Sequence, residues 1–253
     1  MGQQVLQAVV ADPDLELIAA ADIKADRDRL SVPGQAQDAP LHSNLTSLIE
    51  MYHPHVVVDF TVPEAAMSAA RLALKNGANL VMGTTGLSEA NLKEIDDLAQ
   101  KHKKGAVVAA NFAIGAIILM RLAQIAAKYF DNAEIIELHH DKKLDAPSGT
   151  SLATARAMLQ ARGKPFLYPR TEKETLKGTR GGQSEGVSIH SIRLPGLVAS
   201  QEVIFGALGQ TLSIRHDTIS RESFMPGVIL AVKEVVKRHG LVYGLDTLLN
   251  LGD

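Results

Sequence analysis

The sequence contains no cysteine, which excludes disulfides, zinc sites built on thiolates and cysteine nucleophiles. Neither charge sign is in clear excess, because the chain has 26 basic and 28 acidic residues and a formal charge of −2. A broad surface for nucleic acid or for a membrane needs a positive excess, so we expect neither partner. The most apolar stretch, 106–120, is interrupted by Asn111 and is shorter than the roughly 20 residues of a membrane span.

Apolar residues are abundant enough for a large core. The chain has 253 residues, of which 46% are hydrophobic and 21% charged, so it can form one large domain or two modest ones. No secretory signal is recognisable. We therefore expect a cytoplasmic globular protein that is an enzyme or a ligand-binding module.

The first half alternates short apolar runs with helical patterns, as is typical of βαβ units around a parallel sheet. Thr61 and Glu64 have the spacing of a capping box at the start of a helix. Gly77 can end that helix in the left-handed conformation. The predicted elements are a helix at 3–11, strands at 15–21 and 55–60, a helix at 63–76, a strand at 79–82, a helix from Ser88 to near Gly105, and a strand at 106–110.

The pattern changes after Phe112, where alternating runs predict a mixed sheet with one open face. We therefore predict two α/β domains, the first of them discontinuous. The predicted elements are a helix at 114–129, a strand at 134–140, a helix from Ser148 to Gly163, a loop at 164–186, strands at 188–194, 201–205 and 211–216, and a last helix at 224–239.

Ligands of parallel sheets bind at the carboxyl ends of the strands, where several features of this sequence lie. Asp22 ends one predicted strand, as an acid that contacts an adenosine ribose would, but an ordinary solvated strand end explains it equally well. Gly83-Thr84-Thr85-Gly86 follows another strand. Asn111-Phe112 is either a hinge whose backbone contacts a cofactor ring or a strand-to-helix turn capped by Asn111.

Two adjacent histidines lie near the end of the strand at 134–140. His139 and His140 point to opposite faces there, so they do not naturally bind one metal, and we predict no metal site. Glu137 shares the face of His139, where its carboxylate can favour the imidazolium. Arg180 and Arg193 are interpreted as charges on the surface or on the rim of the sheet.

The stretch Pro147-Ser148-Gly149-Thr150 opens a helix whose free N–H groups can hold a carboxylate or phosphate. Lys143 adds a mobile positive charge. Each residue alone is explained as well by a polar strand–loop–helix connection. The full set with His139 and His140 favours a site that binds an anionic substrate and delivers a proton near neutral pH.

These residues identify a resemblance to the bacterial 4-hydroxy-tetrahydrodipicolinate reductases (dihydrodipicolinate reductases) of lysine and diaminopimelate biosynthesis. The family pattern E-x-H-H-x-x-K-x-D-A-P-S-G-T is intact from Glu137 to Thr150. Three further family segments occur at consistent spacing: V-D-F-T-x-P at 58–63, G-T-T-G at 83–86 and A-A-N-F-x-x-G at 109–115.

The resemblance implies an α/β fold with a Rossmann-like parallel-sheet domain that binds a dinucleotide, here residues 1–111 and 221–253. It implies a smaller α/β domain with a mixed open sheet, here residues 112–220, for substrate binding and assembly into a homotetramer. The implied reaction reduces a cyclic hydroxy-dicarboxylate with NADH or NADPH and loses water.

The resemblance also implies roles for individual residues. His139 takes the acid/base position and Lys143 the proton-donor position. Lys143 also binds the substrate carboxylates, together with His140, Gly149 and Thr150. The residues implied in cofactor binding are Asp22 at the adenosine ribose and Gly83, Thr84, Thr85, Ala109, Ala110, Asn111 and Phe112 on the nicotinamide side. Because Asp22 repels a 2′-phosphate, we expect NADH to serve at least as well as NADPH, although Lys24 can reach such a phosphate.

The start of the chain departs from the family pattern. Family members begin with a strand and a G-x-x-G-R-M-G turn, of which Met1-Gly2 matches only the end. By this comparison about 15 residues of a full nucleotide-binding unit are missing, including its central strand. We interpret this as a misassigned start codon or a truncation. A natively short start weakens dinucleotide binding and stability but leaves the substrate site.

Two other functions remain open. One is a different nicotinamide-dependent dehydrogenase with the same two-domain plan, for example one that acts on an amino-acid semialdehyde. The other is a non-catalytic binding protein that has lost its dinucleotide loop. The set of two histidines, Lys143 and the Gly149-Thr150 helix start favours the reductase over both.

Overall fold

The structure, a computed structural model, describes residues 1–251. The chain divides into two compact units. Unit 1 comprises Met1–Phe112 and the segment from Phe224 onward, and unit 2 comprises Ala113–Ser223. Within residues 1–251, none of the helices has the combined length and apolar character that crossing a membrane requires.

Helices and strands alternate through most of the chain. The helices are α1 (Gly2–Ala11), α2 (Leu45–Tyr52), α3 (Pro63–Lys75), α4 (Glu89–His102), α5 (Ile114–Ala127), α6 (Gly149–Arg162) and α7 (Met225–Val235), with a 3-10 turn at Arg221–Phe224. The strands are β1 (Ala20–Ala21), β2 (Arg29–Leu30), β3 (Ala39–His42), β4 (Val56–Asp59), β5 (Asn79–Met82), β6 (Gly105–Val108), β7 (Asn132–His139), β8 (Gly182–Ser184), β9 (Val187–Arg193), β10 (Ala199–Ala207), β11 (Gln210–Thr218) and β12 (Gly240–Tyr243).

Unit 1 is built on a parallel sheet of order β12-β6-β5-β4. β5 and β6 are buried along their whole length, which explains why they read as continuous apolar runs in the sequence. The strands β4, β5 and β6 end side by side, because Asp59 pairs with Met82 and Met82 with Val108. A separate sheet of order β1-β3-β2 contains the strand that precedes Asp22.

Local signals correctly predicted several helices of unit 1. Ser88 caps α4 in a reciprocal capping box with Asn91, and Pro63 occupies the first turn of α3. Gly77, just beyond α3, has φ +81°, a left-handed conformation that glycine adopts without strain. The predicted helix at 3–11 is confirmed as α1.

Other predictions for unit 1 were wrong. Thr61 does not cap α3, because its hydroxyl donates to the Asp59 carboxylate at 3.0 Å and the cap residue is Val62. The predicted strand at 15–21 is reduced to β1. The last helix ends at Val235 rather than 239, and β12 follows as an unpredicted parallel strand next to β6.

Unit 2 is a mixed sheet of order β11-β10-β7-β9-β8. Only β7 and β9 run parallel, and β8, within the segment predicted as loop, extends the edge. Buried side chains of one face, such as Ile135, Val203 and Phe205, form a core with α5 and α6. Side chains of the other face are only partly buried, as the alternation predicted.

The helix α6 has well-defined ends. Ser148 caps its start by accepting the N–H of Ser151 at 3.2 Å, and Gly163 ends it with φ +74°. The side chain of its last residue, Arg162, is only 4% exposed and donates to the carbonyl oxygens of Ala127, which ends α5, and of Phe130 just beyond it. Its guanidinium also lies 4.8 Å from the centre of the Phe166 ring. Arg162 therefore joins the carboxyl ends of the two helices that cover the sheet.

We predict that Arg162→Met lowers the free energy of unfolding by about 2–4 kcal/mol, because two partly buried carbonyl oxygens lose a charged donor. Chemical denaturation followed by circular dichroism measures this change. Arg156→Met is the matched control, since Arg156 is exposed on the same helix. Equal losses for the two variants would contradict the assigned role of Arg162.

Candidate active site

A buried carboxylate lies at the centre of the motif at 137–150. Glu137, on β7, is fully buried and faces the core side of the sheet. Arg193 on β9 donates from Nη2 to Glu137 Oε1 at 2.7 Å and from Nη1 to Oε2 at 2.9 Å. Burial acts to raise the pKa of Glu137, but hydrogen bonds from Arg193, Ser191 and His139 outweigh it and hold that pKa below its ordinary value.

His139 lies two residues along the same face and is also mostly buried, with 15% of its side chain exposed. Its Nδ1 is hydrogen-bonded to Glu137 Oε2. Because an ionised carboxylate only accepts hydrogen bonds, Nδ1 carries the proton, and a neutral His139 presents Nε2 as an acceptor.

The environment of His139 favours its neutral form. Burial is the main cause of a lowered His139 pKa, and the positive charges of Lys143 and Arg193 add to it. Glu137 opposes this shift without reversing it. Glu137 thus favours the imidazolium, as the sequence predicted, but burial and the positive charges of Lys143 and Arg193 outweigh its effect.

Arg193, interpreted from the sequence as a surface or rim charge, does end strand β9, but its pairing with the buried Glu137 was not predicted. Its side chain is only 19% exposed, and its position in β9 is the register partner of His139 in β7. The local sequence does not indicate that Arg193 meets Glu137, because the parallel pairing of two strands about 50 residues apart is not visible in either strand's own pattern. The sequence shows only a charged residue at the end of an alternating strand, without its partner.

The loop after β7 holds the lysine of the motif close to its aspartate. Lys143 Nζ donates to Asp145 Oδ1 at 2.7 Å, and the Lys143 side chain is 22% exposed. The backbone oxygen of Asp145 accepts from Arg193 Nη2 at 2.8 Å. His140, in contrast, lies beyond the end of β7 and is exposed.

The start of α6 offers donors to an anion. The Ser148 cap satisfies the N–H of Ser151, and within residues 1–251 the N–H groups of Gly149 and Thr150 donate no hydrogen bond. A Cβ built on Gly149 would have no atom within 4 Å, so the space in front of this helix turn is open. These groups, with the positive end of the helix dipole, suit a carboxylate.

The residues predicted to bind a dinucleotide lie in unit 1, mostly at adjoining strand ends. Gly83 follows β5 and Ala109 follows β6, and the N–H of Ala109 donates to Met82 O at 3.0 Å. Gly83 packs against the Phe60 ring so closely that a Cβ would collide with it. Thr84 is buried and its hydroxyl donates to Asp59 Oδ1 at 2.8 Å, so its side chain holds the turn in place.

Other members of the predicted set differ in exposure. Thr85 and Ala110 are exposed, and Asn111 is half-buried. Phe112 is buried, with its ring centre 5.5 Å from that of Phe60, so its side chain belongs to the core of unit 1.

Asp22 follows β1, which belongs to the three-stranded sheet and is not paired with β4, β5 or β6. It is exposed, and its Oδ1 accepts from the N–H of Lys24 at 2.8 Å. The second oxygen of this carboxylate can accept from a ribose hydroxyl. A dinucleotide-binding site therefore fits this arrangement, in which exposed Asp22 follows one parallel strand and turns with small residues, at Gly83 and Ala109, follow two others.

Comparison with known proteins supports the resemblance to the reductase family over nearly the whole chain. The N-terminal domain described as "Dihydrodipicolinate reductase, N-terminus" matches residues 1–112, and the C-terminal one of the same name matches residues 115–249. The chain belongs to the dihydrodipicolinate reductase family. Family membership makes it an oxidoreductase.

Relatives and solved structures agree with this assignment. A 4-hydroxy-tetrahydrodipicolinate reductase of Dehalococcoides mccartyi is 50% identical over 99% of this chain and 95% of its own. One of Listeria monocytogenes is 46% identical over 99% and 96%. A structure of dipicolinate-bound dihydrodipicolinate reductase from Paenisporosarcina sp. TG-14 shares 42% identity and a TM-score of 0.86, covering 97% of this chain and 94% of its own. The predicted α/β fold, with a Rossmann-like parallel sheet and a mixed sheet, is thereby confirmed.

Proposed function

We propose that the chain catalyses the reduction of 4-hydroxy-tetrahydrodipicolinate, with NADH or NADPH, in lysine and diaminopimelate biosynthesis. The observation that carries this proposal is a set of groups in unit 2 that can bind an anion and transfer a proton. They are the open N–H groups of Gly149 and Thr150, the Lys143 ammonium, and His139 with a free Nε2. The relatives that share the name of this activity cover nearly the whole chain.

The reaction consumes one hydride and one proton and releases one water. A nicotinamide cofactor supplies the hydride when it is bound, and the protein supplies binding, orientation and the proton. The residues that would hold the cofactor are those of unit 1 at its strand ends: Asp22, Gly83, Thr84, Thr85, Ala109, Ala110, Asn111 and Phe112.

The substrate is a small dicarboxylate, which suits the donors of unit 2. One carboxylate binds the N–H groups of Gly149 and Thr150, and Lys143 and His140 contribute positive charge or hydrogen bonds. Lys143 can bind the substrate while it keeps Asp145, because its ammonium has three N–H donors and Asp145 Oδ1 takes one of them. Since His139 is held neutral, the Lys143 ammonium is the resting proton donor, and His139 acts as the acid/base partner.

We expect this chain to oxidise NADH when the substrate is formed in place by the synthase that condenses pyruvate with aspartate semialdehyde. Lys143→Ala should lower kcat and raise the substrate KM, because the lysine both binds and donates. His139→Gln should mainly lower kcat, roughly 10²-fold or more. Absorbance at the NADH band follows each rate.

Lys142→Ala is the control for these variants, because Lys142 is exposed beside Lys143 in the same loop. Bound NADH without turnover would contradict the proposal and favour a non-catalytic binding protein. Turnover restricted to an amino-acid semialdehyde would instead identify a different dehydrogenase.

We propose NADH as a cofactor at least as good as NADPH, because Asp22 is exposed after β1 and its negative charge would repel the 2′-phosphate of a cofactor bound there. Asp22→Asn should raise the ratio of kcat/KM for NADPH over NADH roughly 3- to 10-fold, as loss of a solvent-screened repulsion predicts. Asp26→Asn, a nearby exposed carboxylate, is the control. A wild-type enzyme with a clear preference for NADPH would contradict this prediction.

We propose that the partly buried face of the unit 2 sheet assembles four copies into a homotetramer. This face carries Ile136, Leu138 and Ile204 beside the ion pair of Glu134 with Arg180, a mixture typical of protein interfaces. Sedimentation should give four times the 27.1 kDa chain mass, and Ile204→Glu should dissociate it. Val236→Glu, at an exposed residue of unit 1, should not. A monomeric wild type would refute the assignment.

We place this activity in the cytoplasm, without nucleic-acid or membrane partners, on the basis of its biosynthetic substrate and its near-neutral net charge of −2. Cell fractionation tests the location, since recovery in a membrane fraction would contradict it.

A further inference from the structure

One guanidinium in unit 2 makes contacts toward both side chains that the proposed reaction uses for proton transfer. Arg193 binds both oxygens of the buried Glu137 at 2.7 and 2.9 Å, and Glu137 in turn accepts from His139 Nδ1. The link from Arg193 to the imidazole therefore passes through a single carboxylate.

The same guanidinium also reaches the loop that holds Lys143. Arg193 Nη2 donates to the backbone oxygen of Asp145 at 2.8 Å, and the Asp145 carboxylate accepts from Lys143 Nζ at 2.7 Å. A fourth bond, from Nη1 to the oxygen of Ile192 at 2.8 Å, fixes the orientation of the guanidinium plane. The terminal nitrogens thus make four bonds, in a planar arrangement that a lysine cannot reproduce.

We propose that Arg193 is a positioning residue for the acid–base pair, holding His139 through Glu137 and Lys143 through Asp145. The roles of His139 and Lys143 rest on the proposed function, whereas the positioning itself is a property of the fold. Arg193 acts through its partners, so it fixes where the two groups stand and which atom of His139 is left free.

The charge of Arg193 matters as well as its shape. The charged groups that act on His139 are Glu137, Lys143 and Arg193. Without Arg193, the buried Glu137 charge would be balanced only by His139, and an imidazolium would become favourable. An imidazolium carries a proton on Nε2 as well, so His139 would lose the free acceptor that the neutral ring presents.

A second arginine–glutamate–histidine set gives a matched comparison, with Glu134 on β7, His190 on β9 and Arg180 just before β8. Arg180 and His190 both bind Glu134, with His190 Nε2 2.8 Å from Glu134 Oε2. This set lies on the opposite face of β7 and does not share a partner with Lys143 or His139. Its loss should cost an ion pair without changing His139.

The test is ¹⁵N NMR of the histidine ring nitrogens across a pH titration, which reports the tautomer and protonation of His139 without turnover. In the wild type we expect the neutral ring to carry its proton on Nδ1. In Arg193→Met we expect the titration midpoint of His139 to move to higher pH and kcat to fall roughly 10- to 100-fold, with the KM for NADH unchanged. Arg193→Lys should restore the midpoint more than kcat, because it returns the charge without the planar pair of donors.

Arg180→Met is the control and should leave the His139 signals unchanged. An Arg193→Met protein that folds with the wild-type His139 tautomer and titration midpoint would overturn the proposal. The proposal would also fail if Arg180→Met shifted the His139 midpoint as much as Arg193→Met does.

Arg193→Met leaves Glu137 buried without its main partner, so folding is checked first. If it does not fold, the double variant Glu137→Met with Arg193→Met carries the test, because it leaves neither an unpaired buried charge nor an acceptor for His139 Nδ1. This variant should lose the fixed Nδ1–H tautomer, and keeping it would overturn the proposal. A His139 response in a protein with no reductase activity would refute the proposed function and leave the positioning role intact.

Discussion

The arrangement of unit 2 depends on how a buried carboxylate is compensated. An ionised carboxyl group removed from water is costly unless hydrogen bonds and an opposite charge replace its hydration. Glu137 obtains both from Arg193, and only then can it accept from His139 without drawing a second positive charge toward itself. The fixed tautomer of His139 and the position of the Asp145 backbone depend on this pair, and the charge of Arg193 adds to the burial that keeps His139 neutral.

The two ends of the site obtain their charge by different means. At β7 the groups are side chains in a buried network, whose geometry depends on the pairing of β7 with β9. At α6 the groups are backbone N–H donors, whose geometry depends only on a helix that starts after Ser148. The proposed dicarboxylate site therefore combines backbone donors at α6 with Lys143, whose side chain is held by Asp145.

The sequence predicted those parts of the fold that depend on local signals. The ends of α4 and α6 follow from Ser88, Ser148 and Gly163, whose side chains or conformations act within a few residues. The capping prediction for Thr61 failed because a tertiary partner, Asp59, takes its hydroxyl. The role of Arg193 could not be predicted, because it requires knowing which strands are neighbours and in which register. Motif residues close together in the sequence were thus found, and the distant one was not.

The parallel pairing of β7 with β9 also has a consequence for how unit 2 folds. The hairpin of β10 and β11 joins residues close in the chain, whereas Glu137 and Arg193 are 56 residues apart and can meet only after the crossover through α6 has formed. Closing such a long loop costs chain entropy before any contact offsets it. We therefore expect the bonds around Glu137 to form later than the β10–β11 hairpin, since they join residues much farther apart in the chain.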